Sequence, residues 1–415
     1  MSVMKNGKPG RRIVILGGGY AGMTAATALK GIDATVTLVN RNSYHYLTTL
    51  LHQPAVGSRD YRELSVDIRK LLPSPVDFLR GRVEGIDMAE KCVSVRQRGR
   101  GIELPYDTLL VCLGSEPRFY KIPGLEENAL TLKNLNASRL AKDRLEEALL
   151  ALDDEPEEIR HFTVIIGGGG LAGVELAGEL IDSLDELANG LDFPASNFRI
   201  VIIEGGASIL AGLDPVIVSR AVDYFSRRGV KLLTGRRIVS VEKRRVLLSD
   251  GSAVDAGVIF WTGGVRGSSV METSGFPVAE GGRMQVNAFL QTDKWPDVFV
   301  IGDCGVCRGK DGSVLPPTAW LAVQQGQHVA ENIRRHFSGV PMMPFVPKTG
   351  TVLLSLGRRH ALGKISGRLV SGIGAAILKD ALAFRYIFSL GGLPGTAMKL
   401  WQWFPYLLHL HRRKG

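Results

Sequence analysis

The chain has 415 residues, 45% of them hydrophobic and 22% charged, which predicts two or three domains of on the order of 150 residues each and excludes a disordered chain. Its 50 glycines cluster instead of recurring every third residue, so collagen-like and low-complexity readings fail, and four cysteines make no disulfide framework, so a reducing compartment is expected. The net charge of +10 lies wholly in residues 341–415, where eleven Lys or Arg face the single acid Asp380, and such a basic end on a neutral body predicts docking to something anionic.

Arg12–Leu16 is a short apolar run that enters Gly17-Gly18-Gly19-Tyr20-Ala21-Gly22 and an alanine-rich helix to about Lys30, with Thr35–Val39 as the next strand. Arg11-Arg12 therefore opens a buried strand and is not read as a cleavable signal. Gly17 permits a tight turn, Gly19 lets backbone approach a pyrophosphate, and Gly22 lets helix pack closely on strand. The helix start offers free N–H groups and a positive dipole end to the phosphates. Tyr106–Ser115 reads as a buried strand ending at Gly114.

The same arrangement returns downstream. Phe162–Ile166 leads into Gly168-Gly169-Gly170-Leu171-Ala172-Gly173, a helix Val174–Leu184, a polar loop Asp185–Asn197, and a strand Arg199–Ile203 ending on Glu204. One such glycine pattern is weak evidence; two, each between strand and helix, predict two dinucleotide sites. A carboxylate at Glu204 accepts both ribose hydroxyls and repels a 2′-phosphate, which favours NADH over NADPH; otherwise it is a solvated strand-end acid. Asn40 holds the equivalent position in the first unit, where an amide is less diagnostic.

Val258–Trp261, followed by Gly263, repeats the strand-then-glycine shape. Asp297–Asp303 is a further strand whose Gly302-Asp303 end can face the sugar or phosphate part of a dinucleotide. Pro316-Pro-Thr-Ala319 opens a helix to about His336, and its N–H groups are suited to polarising an electron-accepting ring. Cys304 and Cys307 form a C-x-x-C, either a redox pair or ordinary structural thiols. No ligand cluster predicts a metal, and no reading module predicts nucleic-acid binding. No run of about 18 apolar residues is unbroken, so no spanning helix is expected.

Two dinucleotide units, a Gly-Asp strand end and Pro-Pro-Thr-Ala before a helix resemble the two-dinucleotide-binding flavoprotein reductases. More closely, Leu38–Tyr46, Gly168–Glu175, Trp261–Gly267, Ile301–Asp303 and Pro316–Gly326 are similar to the type II NADH dehydrogenases, single-subunit NADH:quinone oxidoreductases of the membrane surface. The likeness runs from about Arg12 to Leu390. It implies FAD in the first unit, with Gly17, Gly18, Gly19, Tyr20, Ala21 and Gly22 at the pyrophosphate and Asn40 and Arg41 near the adenosine. Val83 would contact the adenine through its backbone. Gly114, Gly302 and Asp303 would line the ribityl-phosphate region, Ala319 would lie beside the isoalloxazine, and Lys379 would reach the flavin. NADH would use Gly168, Gly170, Gly173, Glu204 and Gly263. Glu175 matches the acid that the family has near nicotinamide and quinone, and it is either a proton relay or a helix-start acid favoured by the dipole.

The family commonly opens its helix with Ala-Gln-x-x-x-Gln, whereas this chain has Ala319-Trp320 and then Gln324. Trp320 and Gln324 are the expected acceptor contacts, with Trp320 either shaping the acceptor pocket or packing in the core. Sulfide:quinone and disulfide reductases are disfavoured, since Tyr44–Gly57 holds no cysteine and Cys92 and Cys112 fall in strand-like segments.

The expected fold is α/β: two Rossmann-like dinucleotide-binding domains plus a C-terminal membrane-associating region. The expected boundaries are 1–135 and 266–340 for FAD, 136–265 for NADH, and 341–415 for the basic membrane-associating end. In that end, Pro405 is expected to divide the aromatic segment into two short pieces, with Trp401, Trp403 and Tyr406 at a headgroup layer and Arg412–Lys414 on anionic lipid. Folding onto the body or onto a twin subunit is the alternative. The expected activity is non-pumping transfer from NADH through FAD to a quinone, menaquinone or ubiquinone, by a peripheral protein on the cytoplasmic face of the cell membrane, with a second copy of the chain as a candidate partner in a homodimer. The competing readings are a soluble NADH:acceptor flavin reductase and a non-enzymatic NADH-sensing flavoprotein.

Overall fold

The computed structural model describes residues 10–151, 161–188, 197–279, 281–309 and 311–412, with 184, 185, 187, 188 and 393–412 by backbone alone. In chain order the elements that build the site are β1 (Arg12–Leu16), α1 (Tyr20–Ala28), β2 (Thr35–Asn40), β3 (Asp77–Arg80), β4 (Thr108–Val111) and β5 (Leu130–Thr131). They continue with β6 (Phe162–Gly167), α2 (Leu171–Ala188), β7 (Phe198–Glu204), β8 (Lys231–Thr234), β9 (Val258–Trp261), β10 (Val298–Val300), α3 (Ala319–Phe337) and α4 (Ile373–Arg412).

Two five-stranded parallel sheets organise these elements, in the orders β10-β4-β1-β2-β3 and β5-β9-β6-β7-β8. β4, β9 and β10 are buried at every position, the near-continuous apolar pattern that a parallel sheet covered on both faces requires. β1 lies in register with β2 from Arg12↔Thr35 to Leu16↔Val39, and β6 with β7 from Phe162↔Phe198 to Gly167↔Ile203. In each sheet the strand order reverses at the strand that precedes the glycine turn, so a crevice opens at the carboxyl ends of β1 and β4, and of β6 and β9. β5 already pairs with β9 through Leu130↔Phe260, whereas β10 pairs with β4 through Val298↔Leu109. The chain thus leaves the first sheet before Leu130 and re-enters it at Val298.

α1 and α3 cross at close range. A Cβ on Gly326 would stand 2.5 Å from the Ala21 carbonyl oxygen, so only glycine admits this approach. α2 begins and ends outside the expected Val174–Leu184. Asp185–Ala188, expected as loop, are helical, since no proline or glycine follows Leu184 until Gly190 and Glu186 is paired to Arg358. The rest of that expected loop up to residue 196 lies outside the described residues.

After α3 a three-stranded antiparallel sheet, Val352–Ser355, Ala361–Ile365 and Arg368–Gly372, leads into α4. The expected break at Pro405 is not where the helix breaks. The backbone is helical through Pro405, and the interruption falls at Gly392, with φ +59° and ψ −158°. Glycine enters that region without a Cβ penalty, whereas the fixed φ of proline is itself helical. The side chains of Trp401, Trp403, Tyr406 and Arg412, and the whole of Arg413 and Lys414, lie outside the described residues. Among the described residues no helix is long and apolar enough to cross a membrane.

Candidate active site

The two glycine turns are near copies in space. Gly17 and Gly168 have φ of +105° and +112°; a Cβ on Gly22 would lie 1.9 Å from the Gly17 carbonyl oxygen, and one on Gly173 2.0 Å from that of Gly168. Gly19 and Gly170 differ from these, because a Cβ there would meet nothing within 4 Å. Each turn is therefore closed behind and open in front, and Gly19 caps α1 without any side-chain bond to the first N–H groups. That cradle fits a pyrophosphate.

The strand-end residues distinguish the copies. Asn40 Oδ1 accepts from the Gly18 N–H at 3.0 Å, while its Nδ2 donates to the Asn42 carbonyl. Glu204 accepts from Gly169 N–H and from Gly206 N–H, both at 2.7 Å, one on each oxygen. Each Glu204 oxygen keeps a lone pair for a ribose hydroxyl, and the negative charge faces the turn. Gly263 backs the second turn: its Cα would be 2.6 Å from a Cβ on Gly168. In the first unit Arg41 is exposed and Val83 is buried on the strand beside it, with Gly81 N–H bonded to the Asn40 carbonyl. The Tyr20 hydroxyl shares a 3.1 Å hydrogen bond with Thr49, and burial pushes its pKa up to about 12.

At the carboxyl end of β4, Gly114 is left-handed with open space before it, and Ser115 donates to Asp303 Oδ2 at 2.7 Å. Gly302 N–H donates to Gln325 Oε1 at 2.7 Å, so the buried Gln325 ties α3 to the Gly-Asp turn. Ala319 begins α3 behind the cap of Thr318, whose Oγ accepts from Leu321 N–H. Trp320 is 53% exposed, which removes the core-packing alternative. Its Nε1 donates to the Lys348 carbonyl at 3.3 Å, and Gln324 binds Lys348 through both backbone groups.

Glu175, one turn into α2, is buried. Its Oε1 accepts from the Ser355 N–H at 3.1 Å and from Lys379 Nζ on α4, which also donates to Ser355 Oγ at 2.7 Å. Its Oε2 faces His52 Nδ1 at 3.9 Å. Burial lowers the His52 pKa to about 4, so the imidazole is neutral at physiological pH. Lys379, expected at the flavin, thus makes its resolved bonds to Glu175 and Ser355. The sequence reading missed Ser115, His52, Gln325 and Ser355: each is a common residue in an unremarkable run, identified only by its partner. Gln325, adjacent to the expected Gln324, is the nearest to a legible signal.

All four cysteines are free. Burial pushes the Cys304 thiol up to about 12 and raises Cys112 and Cys307, which keeps all three protonated and poorly nucleophilic. Cys304 and Cys307 are not joined by a disulfide.

The chain matches the sequence model of the pyridine nucleotide-disulphide oxidoreductases over residues 11–326. It is 31% identical over 400 residues to a type II NADH:quinone oxidoreductase of Staphylococcus saprophyticus, covering 94% of this chain and 98% of that protein. With the protein of the same name from Staphylococcus aureus it shares 32% over 401 residues, at the same coverage. The solved structure of NDH2 from Plasmodium falciparum in complex with NADH superposes with a TM-score of 0.84 over 95% of this chain and 98% of that one, at 17% identity. The sulfide:quinone oxidoreductase from Aquifex aeolicus superposes with a TM-score of 0.77 over 98% of this chain and 96% of that one, at 20% identity.

Proposed function

Because the chain belongs to the pyridine nucleotide-disulphide oxidoreductase family and, with it, to the type II NADH:quinone oxidoreductases, we propose that it oxidises NADH and reduces a quinone at a membrane surface. The observation that carries this reading is the pair of matched turns with unlike strand ends, Asn40 in one and Glu204 in the other. FAD bound at the first turn supplies the two-electron chemistry between NADH and quinone.

The chain's own residues do the rest. Gly17–Gly22 and the open start of α1 hold the flavin pyrophosphate, with Asn40, Arg41 and Val83 at its adenosine and Gly114, Gly302, Asp303 and Ala319 along the remainder. Gly168, Gly170, Gly173 and Gly263 shape the second cradle, and Glu204 selects the unphosphorylated ribose. Quinone reduction consumes two protons, and Glu175, tied through Oε1 to Lys379 Nζ and the Ser355 N–H, has Oε2 available to carry one in a nearly dry setting. Trp320 and Gln324 line the acceptor side, where the half-exposed indole stands at the mouth. A non-quinone acceptor is the second reading, favoured by that same indole.

Attachment to the membrane is supported chiefly by the aromatic and basic sequence of residues 398–415, with Trp401, Trp403, Tyr406 and Arg412–Lys414, and secondarily by the exposed α4 face of Ile373, Ile377, Leu378, Leu382 and Phe388. The reading is of a peripheral protein on the cytoplasmic face using menaquinone or ubiquinone; a second copy of the chain is the other candidate cover for that face.

The visible spectrum of the purified protein tests the proposal. A bound flavin should bleach with NADH and recover with a quinone analogue. Colourless protein that cannot be reconstituted with FAD refutes it, and recovery only with non-quinone acceptors selects the second reading.

A further inference from the structure

Asp380, the single acid among the eleven Lys or Arg of residues 341–415, follows Lys379 on α4. Both residues line a small cavity together with Gln53, Ser355 and Arg358. The cavity measures ≈ 10 Å³, about the space that one water needs.

The cations around it are matched to other carboxylates. Lys379 Nζ donates to Glu175, and Arg59 Nε donates to Glu63 at 2.9 Å. Arg358 reaches Glu179 at 3.2 Å and Glu186 at 2.7 Å. Arg59 also donates to Gln53 Oε1 at 3.3 Å, which ties its guanidinium to a residue of the cavity wall. Asp380 itself makes no hydrogen bond or ion pair among the described residues. The charged groups that face it are thus Arg59, Arg358 and Lys379, with Glu175 and Glu179 behind them.

Asp380 is partly exposed, so one edge meets solvent. Burial of the rest pushes its pKa up, against the lowering pull of Arg59 and Lys379. Its carboxylate form would lack a bonded cation, which favours holding a proton. Lys379 stands between the two acids. Of its three N–H groups, one is on Glu175 Oε1 and one on Ser355 Oγ at 2.7 Å, leaving the third for the cavity.

The turnover NADH + Q + H⁺ → NAD⁺ + QH₂ draws one proton from water, since the hydride brings the other hydrogen with both electrons. Glu175 and Lys379 are shielded, with side chains only 11% and 14% exposed, so that proton needs a way in.

We propose that Asp380 is the proton entry for quinone reduction, loading Glu175 by way of the cavity and Lys379. Once Glu175 has given its proton to the quinone being reduced, Lys379 passes one to the carboxylate and recovers one from water in the cavity. That water takes one from Asp380, and solvent reprotonates Asp380, so one proton enters for each quinol formed. Asp380 acts through Lys379 and not on the substrate. This route rests on the quinone reading above.

The test reduces FAD-loaded full-length protein with NADH and follows flavin reoxidation by a water-soluble quinone analogue and by ferricyanide, which takes electrons without protons. Asp380→Asn should slow the quinone reaction at least about tenfold and leave the ferricyanide reaction unchanged. The parent's quinone rate should fall with rising pH through an ionisation that Asp380→Asn lacks, and added formate or acetate should restore the variant. Asp380→Glu carries the same proton and should stay within about twofold of the parent, with that ionisation shifted.

Equal quinone rates in the parent and Asp380→Asn overturn the proposal. Equal slowing with both acceptors overturns it too, because a structural role alone would do that. Should Asp380→Asn not fold, Asp380→Glu decides through its pH profile, and an unshifted profile overturns the proposal. Failure of the quinone reading shows in the parent itself, as flavin restored by ferricyanide and not by quinone, and withdraws the proposal with it.

Discussion

Lys379 on the C-terminal helix donates to the same oxygen of Glu175 that accepts the Ser355 backbone N–H, so a residue of the second dinucleotide unit is held from the C-terminal region. The other oxygen is left facing a neutral His52. An acid so arranged has one oxygen committed and one available, which suits proton transfer better than a helix-start acid exposed to water.

Glu175→Gln keeps both acceptor and volume but cannot carry a proton. It should retain FAD and NADH-driven flavin reduction and slow quinone-driven reoxidation by about a hundredfold. Rapid-mixing traces of the two half-reactions check this, and an unchanged reoxidation rate removes Glu175 from the proton path.

The paired turns allow the two nucleotide sites to be lost separately. Gly173→Ala brings a methyl to 2.0 Å from the Gly168 carbonyl, and Gly22→Ala brings one to 1.9 Å from that of Gly17. The first should yield yellow protein that NADH no longer bleaches at ordinary concentrations; the second, protein without flavin. Flavin content and NADH titration distinguish them, and the reverse assignment would exchange the two units.

Glu204→Ala removes the charge that faces the second cradle. The ratio of kcat/KM for NADH over NADPH should fall at least about tenfold, mostly through KM for NADH. A preserved ratio would leave Glu204 with only its bonds to Gly169 and Gly206.

Two buried histidines set an acid limit. Burial lowers His52 and His45 from 6.5 to about 4. The unfolded chain takes up these protons below pH 6.5 while the folded one does not, so stability is full above that pH and declines as pH falls toward 4. Each contributes a loss of about 2 kcal/mol by pH 5. Denaturant unfolding at pH 7 and pH 5 measures it, and His52→Gln should remove about half of the difference.

Deleting Met398–Gly415 should release the protein from lipid vesicles without loss of flavin. Sedimentation with vesicles after truncation would move the attachment to the exposed face of α4 that remains.

The parts of this molecule legible in sequence are those where backbone geometry demands one residue type. Gly17, Gly22, Gly168 and Gly173 each sit where a Cβ collides or φ is positive, and their spacing marks both units. Parallel strands also declare themselves, because burial on both faces forbids polar interruption. The contacts that assemble the acceptor side are different in kind. Gln325 with Gly302, and Lys379 with Glu175, join residues 23 and 204 positions apart, and such pairs have no local signature. The break in α4 follows backbone freedom and not the loss of an N–H: the helix runs through Pro405, and the backbone leaves it at Gly392.

A Cβ at Gly178 would stand 2.3 Å from the Leu356 carbonyl carbon, so α2 and the sheet that precedes α4 meet backbone to backbone. Arg358 reinforces that seam, its N–H on Asp182 and its guanidinium on Glu179 and Ser183. The C-terminal region is therefore not a detachable cassette. Grafting a foreign anchor upstream of Gly391 would require recutting α2 to match, whereas a swap downstream leaves the joint intact, and that glycine pair marks where chimeras between relatives should be spliced.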